Sequence, residues 1–182
     1  MTQDNALRAR DRLPDALRVL LEQFPRDMWE SHRNFAGLVE FWLDRHLMFR
    51  RLTEALREDA EAGQDRKIDP QAMRARLSRY GGMLVGQLHG HHQIEDAHYF
   101  PVLARREARL ETGFAILDKD HHAMDGLLAR FTESANAVLQ GGEPGPFRKE
   151  LLSFERLLHR HLEDEEDLIV PVILKHGAEG LH

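Results

Sequence analysis

The stretch that decides the fold is HGHHQIEDAHYFPVL, residues 89–103. Four histidines and two acids sit among residues otherwise suited to a buried helix. It has a counterpart. The run HHQIEDAHYFPVL that begins at His91 aligns with HLEDEEDLIVPVIL, which begins at His161. In both, a glutamate follows the histidine by one helical turn (Glu95, Glu165), and a proline comes further on (Pro101, Pro171). His89 recurs as His159. Residues four apart share one face of a helix, so each run presents a histidine and a carboxylate side by side. A buried carboxylate costs several kcal/mol or takes up a proton unless it is paired. Two of them, each beside a histidine, call for a shared cation.

Outward from these runs, breakers divide the chain into a preamble and four long segments. RLPDALRVLLEQFP (12–25) reads as a short helix with Pro14 in its first turn. Segment one spans about 28–62. Segment two opens at DPQAM, with Asp69 as N-cap and Pro70 at the first helical position, and fades near RREARLET (105–112). Segment three spans about 113–140, GGEPGP forces a turn, and segment four spans about 147–176. No stretch alternates as a strand does. Residues 1–27 thus form an N-terminal extension, 28–176 the main domain and 177–182 a tail.

The apolar positions of each segment repeat at the spacing of an inward-facing seam. Segment one gives Phe35, Val39, Trp42, His46, Phe49 and Leu56; segment two gives Leu77, Leu84, Leu88, His91, Glu95, His98 and Val102. Segment three gives Phe114, Leu117, His121, Met124, Leu128 and Phe131; segment four gives Phe147, Leu151, Phe154, Leu158, His161, Glu165, Leu168 and Val172. Every seam turns polar at its middle. The turn midway between His46 and His91 falls beside Asp69 and Pro70, that between His91 and His121 near Arg106, and that between His121 and His161 at Gly141. In an antiparallel arrangement this levels the four histidines to within about two turns. The reading is all-α: an up-down-up-down antiparallel four-helix bundle with a short extra N-terminal helix. Four histidines and two bridging carboxylates give each of two ions four protein ligands. An oxo or hydroxo bridge adds a fifth and leaves an octahedral ion one open position. Mixed imidazole and carboxylate ligands suit iron, with manganese as the alternative and zinc less favoured.

Composition narrows the classes. With no cysteine, disulfides, iron–sulfur clusters and cysteine-ligated zinc are excluded. The net charge of -6 disfavours a nucleic-acid partner. The N-terminus lacks an apolar signal core and no run of 18 apolar residues occurs, so a cytoplasmic protein without a membrane partner is expected.

Together DRHLMFRRL (44–52), HHQIEDAHYFPVL, DKDHHAMDGLL (118–128) and HRHLEDEEDLIVPVIL (159–174) resemble the hemerythrin-like, or HHE cation-binding, family. The resemblance implies a four-helix bundle with a non-haem di-iron centre whose ligands are His46, His91, Glu95, His121, His161 and Glu165. It also implies a small-molecule partner such as dioxygen, nitric oxide or peroxide. Two positions depart from the oxygen carriers. Asp125 stands where they have a further histidine, and their last acid corresponds to Glu166, whereas the internal repeat favours Glu165. Asp125 is therefore open between ligating, orienting a ligand and facing a polar neighbour. Three functions compete: binding a small molecule for sensing, storage or delivery; an enzyme that decomposes peroxide or reduces nitric oxide, with His98, Tyr99 or Asp125 moving protons; and an iron-responsive structural or interaction module. His98 shares the seam of His91 and is expected to line the pocket. His89, His92, His122 and His159 are expected to be solvated or at helix interfaces. His32 lies on the seam of His46, roughly 21 Å along the axis, too far for the same site. His176 and His182 read as tail residues. Pro101 and Pro171 are expected to bend or end their helices. The extension, 1–27, is expected to cap the bundle end or hold a partner.

Overall fold

The computed structural model describes residues 6–181. Among these, every regular element is helical and none is a strand. The extension forms a 3-10 turn at Asp15–Leu17, a short helix α1 at Val19–Gln23 and a second 3-10 turn at Arg26–Met28. The long helices are α2 (Leu38–Gln64), α3 (Pro70–Ile94), α5 (Glu111–Leu139) and α6 (Pro144–His176). A short helix, α4 (Phe100–Arg106), follows α3 in the chain after a π-turn at Glu95–Tyr99. No described helix is long and apolar enough to cross a membrane.

The helix boundaries follow from local chemistry. Asp69 caps α3 as expected, its carboxylate accepting the Ala72 N–H at 2.9 Å. The first long helix starts at Leu38 rather than near Met28. Residues 29–37 form turns, and Gly37 takes φ +87° just before the helix, a left-handed conformation that costs glycine little. His32 and Phe35 therefore lie outside the helix, and the axial spacing of His32 from His46 does not apply. His32 instead meets Phe24 edge-on, with ring centroids 5.6 Å apart. The helix α6 begins at Pro144, earlier than Phe147, because prolines are tolerated in a first turn whose N–H groups have no partner anyway.

Neither inner proline ends its helix. Pro171 lies inside α6. At Pro101 the chain absorbs the missing N–H by widening one turn: the Phe100 N–H reaches back five residues to the Glu95 carbonyl. A π-turn contains one residue more than an α-turn, so the seam beyond Glu95 shifts by one position. Phe100 and Leu103 are buried, while His98 is exposed and Val102 only half-buried.

The chain divides into two compact units whose boundaries fall inside the long helices. One comprises Leu47–His91 and Ala123–His159. It packs around Phe131, whose ring lies 5.6 Å from Phe147 and 5.5 Å from Phe154. Leu84, Leu88, Leu151 and Leu158 are fully enclosed in it. The surface ion pairs Arg57–Glu155 and Arg148–Glu61 add little beside that burial. The other unit comprises the described parts of Met1–His46, His92–His122 and Arg160–His182. Its core runs from Trp29, Val39 and Trp42 through Phe100, Leu103, Phe114 and Leu117 to Leu168 and Val172. Leu13, Leu17 and Leu20 of the extension are buried in the same core, so the extension is part of this unit's packing.

Candidate metal centre

The polar middle of the seams is buried. His46, Glu95, His161 and Glu165 show no exposure, His121 is 3% exposed and His91 8%. Two groups of side chains bring ligand atoms within 4.8 Å of one another: His46, His91, Glu95 and Glu165; and His92, His121 and His161. All six residues singled out in the sequence fall in one or other group. His92 was expected at a solvated or interface position and lies in the second group instead. It is 4% exposed, and its ring stacks on His121 with centroids 3.9 Å apart. The available sequence signal was a second four-residue pair, His92 with Asp96, running beside His91 with Glu95.

Three of the histidines share one arrangement. Each turns Nδ1 outward to a carboxylate and Nε2 inward. His121 Nδ1 lies 2.7 Å from Asp96 Oδ1, His46 Nδ1 2.9 Å from Glu166 Oε1, and His161 Nδ1 3.3 Å from Asp120 Oδ2. On the inner side, His121 and His161 Nε2 each lie 3.0 Å from Glu165 Oε1, and His46 Nε2 lies 3.4 Å from Glu165 Oε2. His121 Nε2 is also 3.5 Å from Glu95 Oε2. An Nδ1–H that donates to a carboxylate leaves Nε2 as the lone-pair nitrogen and fixes the ring plane, which is how metal-binding imidazoles are oriented. Trp42 donates its Nε1–H to Glu95 Oε1 at 2.7 Å and sets that carboxylate too.

The outer carboxylates are themselves held, and here the extension reaches the centre. Arg10 is 5% exposed. It donates to Asp164 Oδ2 at 2.7 Å and to Asp120, with Nη1–Oδ1 at 3.1 Å. Asp164 also accepts from the Leu13 N–H and from Arg160. Arg26 donates to Glu166 Oε2 at 2.8 Å and to Asp167 at 2.7 Å. Two arginines of the extension thus buttress the carboxylates behind His161 and His46. The sequence suggested a bundle cap or a partner site for this segment. Single arginines in a short, non-periodic stretch carry no spacing from which their targets could be read.

The inner groups demand positive charge. Burial alone would push His121 down. Hydrogen bonds to Asp96 and Glu165, with the charges of Glu165 and Glu95, outweigh it and raise the ring to about 10. His161, also opposed by burial, is raised to about 9 by the charge of Glu165, 3.0 Å from its Nε2, and by its hydrogen bond to Asp120. Burial pushes Glu165 up, but His161 and His121 hold it well below the usual carboxylate range. Protons on the histidines thus balance the carboxylates when no cation does. Glu165 Oε2 and His161 Nε2 are inaccessible to solvent and make no hydrogen bond, although His161 Nε2 lies close to Glu165 Oε1. Side chains that approach without aligning to each other fit ligands aimed at a common point. The donor set fits a cation.

The remaining expectations divide. Glu166 is buried but turned to His46 and Arg26, not to the cluster. Asp125 is exposed, with His89 Nδ1 4.0 Å from its carboxylate, so it faces a polar neighbour. His98 is exposed rather than lining the pocket, because of the π-turn. Tyr99 is half-buried, its phenol pushed up by burial and by the charge of Glu95. His89 and His122 are exposed, and His159 is half-buried. His176 lies 3.1 Å from Glu107. His182 lies outside the described residues.

A family model described as "Hemerythrin HHE cation binding domain" matches residues 37–173. No curated protein matches the chain. No solved structure matches it either.

Proposed function

The chain belongs to the hemerythrin HHE cation-binding domain family, and from that premise we propose that it is an up-down-up-down four-helix bundle built around a non-haem centre of two iron ions. His46, His91, Glu95, His121, His161 and Glu165 would hold the pair. The observation that carries the reading is the common arrangement of His46, His121 and His161: each has a carboxylate behind Nδ1 and Nε2 turned to Glu165. A set of imidazoles and carboxylates favours iron or manganese over structural zinc.

When bound, a redox-active iron pair supplies an open coordination position for a diatomic such as dioxygen or nitric oxide. The chain's own residues do the rest. Trp42 and the outer carboxylates fix the ligand orientations. Phe100 stacks on His121 at 5.3 Å and Phe49 meets His91 edge-on at 5.3 Å, so apolar rings shield ligand imidazoles from water. The half-buried Tyr99 phenol is close enough to Glu95 to feel its charge. His98 and Asp125, two of the groups proposed to move protons for an enzyme, are exposed. Their exposure removes two of the three side chains that the enzyme reading assigns to proton movement, and binding for sensing, storage or delivery is the reading taken here. The test is to reduce the iron-loaded protein anaerobically and admit dioxygen. A visible band that forms and disappears on degassing supports the reading; sustained peroxide consumption supports the enzyme; no optical response contradicts both.

A further inference from the structure

We propose that His92 is itself a metal ligand, so that the two ions occupy unequal sites. One would be held by His46 and His91, the other by the three imidazoles of His92, His121 and His161, with both glutamates shared. The inference deepens the proposed function and rests on it.

Three observations carry it. Ligand atoms of His92, His121 and His161 lie within 4.8 Å of one another, and all three residues are buried. Both ring nitrogens of His92 are inaccessible to solvent. Its ring lies face-on to His121 at 3.9 Å, with planes 14° apart, and edge-on to His161 at 5.2 Å. A packing role alone would be met at less desolvation cost by phenylalanine, and His121 already has such a neighbour in Phe100, 5.3 Å away. What a second ring adds at this place is a nitrogen lone pair. One divalent transition-metal ion can take a nitrogen lone pair from all three. His121 and His161 are already oriented for it by Asp96 and Asp120.

The experiment is an anaerobic titration of chelator-stripped protein with ferrous iron, comparing the native chain with His92→Phe. Phenylalanine keeps the stacked ring and deletes the nitrogens. The native chain is expected to bind two ions. H92F is expected to bind one of them roughly tenfold more weakly or not at all, since even the loss of an outer partner of a ligand costs about that much. Two ions at unchanged affinity in H92F would overturn the inference and leave the proposed function standing. Native protein that takes up no iron would overturn both. A second measurement needs no variant. In the cobalt(II)-loaded native chain, each ligating imidazole N–H gives a paramagnetically shifted exchangeable proton resonance. Five are expected if His92 ligates, and four would refute it.

Discussion

Replacing Arg10 by methionine tests whether the extension stabilises the centre. The Arg10 side chain has no exposure, and its two partners, Asp120 and Asp164, are 3% and 0% exposed. Removing one member of a buried pair leaves an uncompensated charge and costs about 3–5 kcal/mol. The two carboxylates do not suffer equally. Asp164 retains Arg160 at 2.8 Å and the Leu13 N–H at 3.2 Å. Asp120 retains His161 Nδ1 at 3.3 Å. Most of the cost should therefore arise at Asp120. For a chain of this size about 1 kcal/mol corresponds to roughly 2–4 °C, so calorimetry of the metal-free protein should show Tm lower by about 6–20 °C. Neutralising the stranded group should recover part of the loss, so Arg10→Met with Asp120→Asn should be more stable than the sum of the single changes predicts. A Tm within about 2 °C of the native chain, or strict additivity, would refute the reasoning.

Trp42→Phe deletes the donor to Glu95 Oε1. It should cost about 1–3 kcal/mol in the metal-free protein and weaken ferrous binding by about 10–100-fold, read by thermal melts and metal titration; unchanged affinity would show that the indole does not position the carboxylate. Glu107, which belongs to neither ligand group, gives a separate pH signature. Burial pushes its carboxyl up, but hydrogen bonds from Lys175, His176 and Arg109 outweigh this and hold it at about 2, against an ordinary value of 4.5. A depressed folded-state pKa contributes stability above the unfolded value, and that contribution is lost as pH falls from about 4.5 toward 2. The native chain should therefore lose stability more steeply than Glu107→Gln across that window in urea unfolding, and parallel curves would contradict the assignment.

Much of the architecture was legible because helical seams depend on period alone. Phe114, Leu117, His121, Met124, Leu128 and Phe131 are all buried as their spacing predicts, as are Leu151, Phe154, Leu158, His161, Glu165 and Leu168. The seam of the second segment was legible only as far as Glu95. Beyond it Pro101 points, by sequence alone, to a stop or bend. The backbone instead absorbs it in a π-turn, and the extra residue carries His98 outward and Phe100 inward. His92 was missed because a neighbour of a seam residue is about 100° away on a helical wheel. A seam with a polar centre, however, buries a sector wide enough for both His91 and His92. The outer carboxylates Asp96 and Asp120 were hidden for another reason, whereas Glu166 was in view as the alternative to Glu165 and turns to His46 and Arg26. Acids one residue from a ligand look like solvated helix charge until the partner ring and the buttressing arginine are seen together.

The most direct test of the two-cation claim is anomalous diffraction at the iron absorption edge from crystals of the iron-loaded protein. The account predicts two peaks about 3.5–4 Å apart, one beside His46, His91, Glu95 and Glu165 and the other beside His92, His121 and His161. A single peak, or peaks away from Glu95 and Glu165, would contradict it.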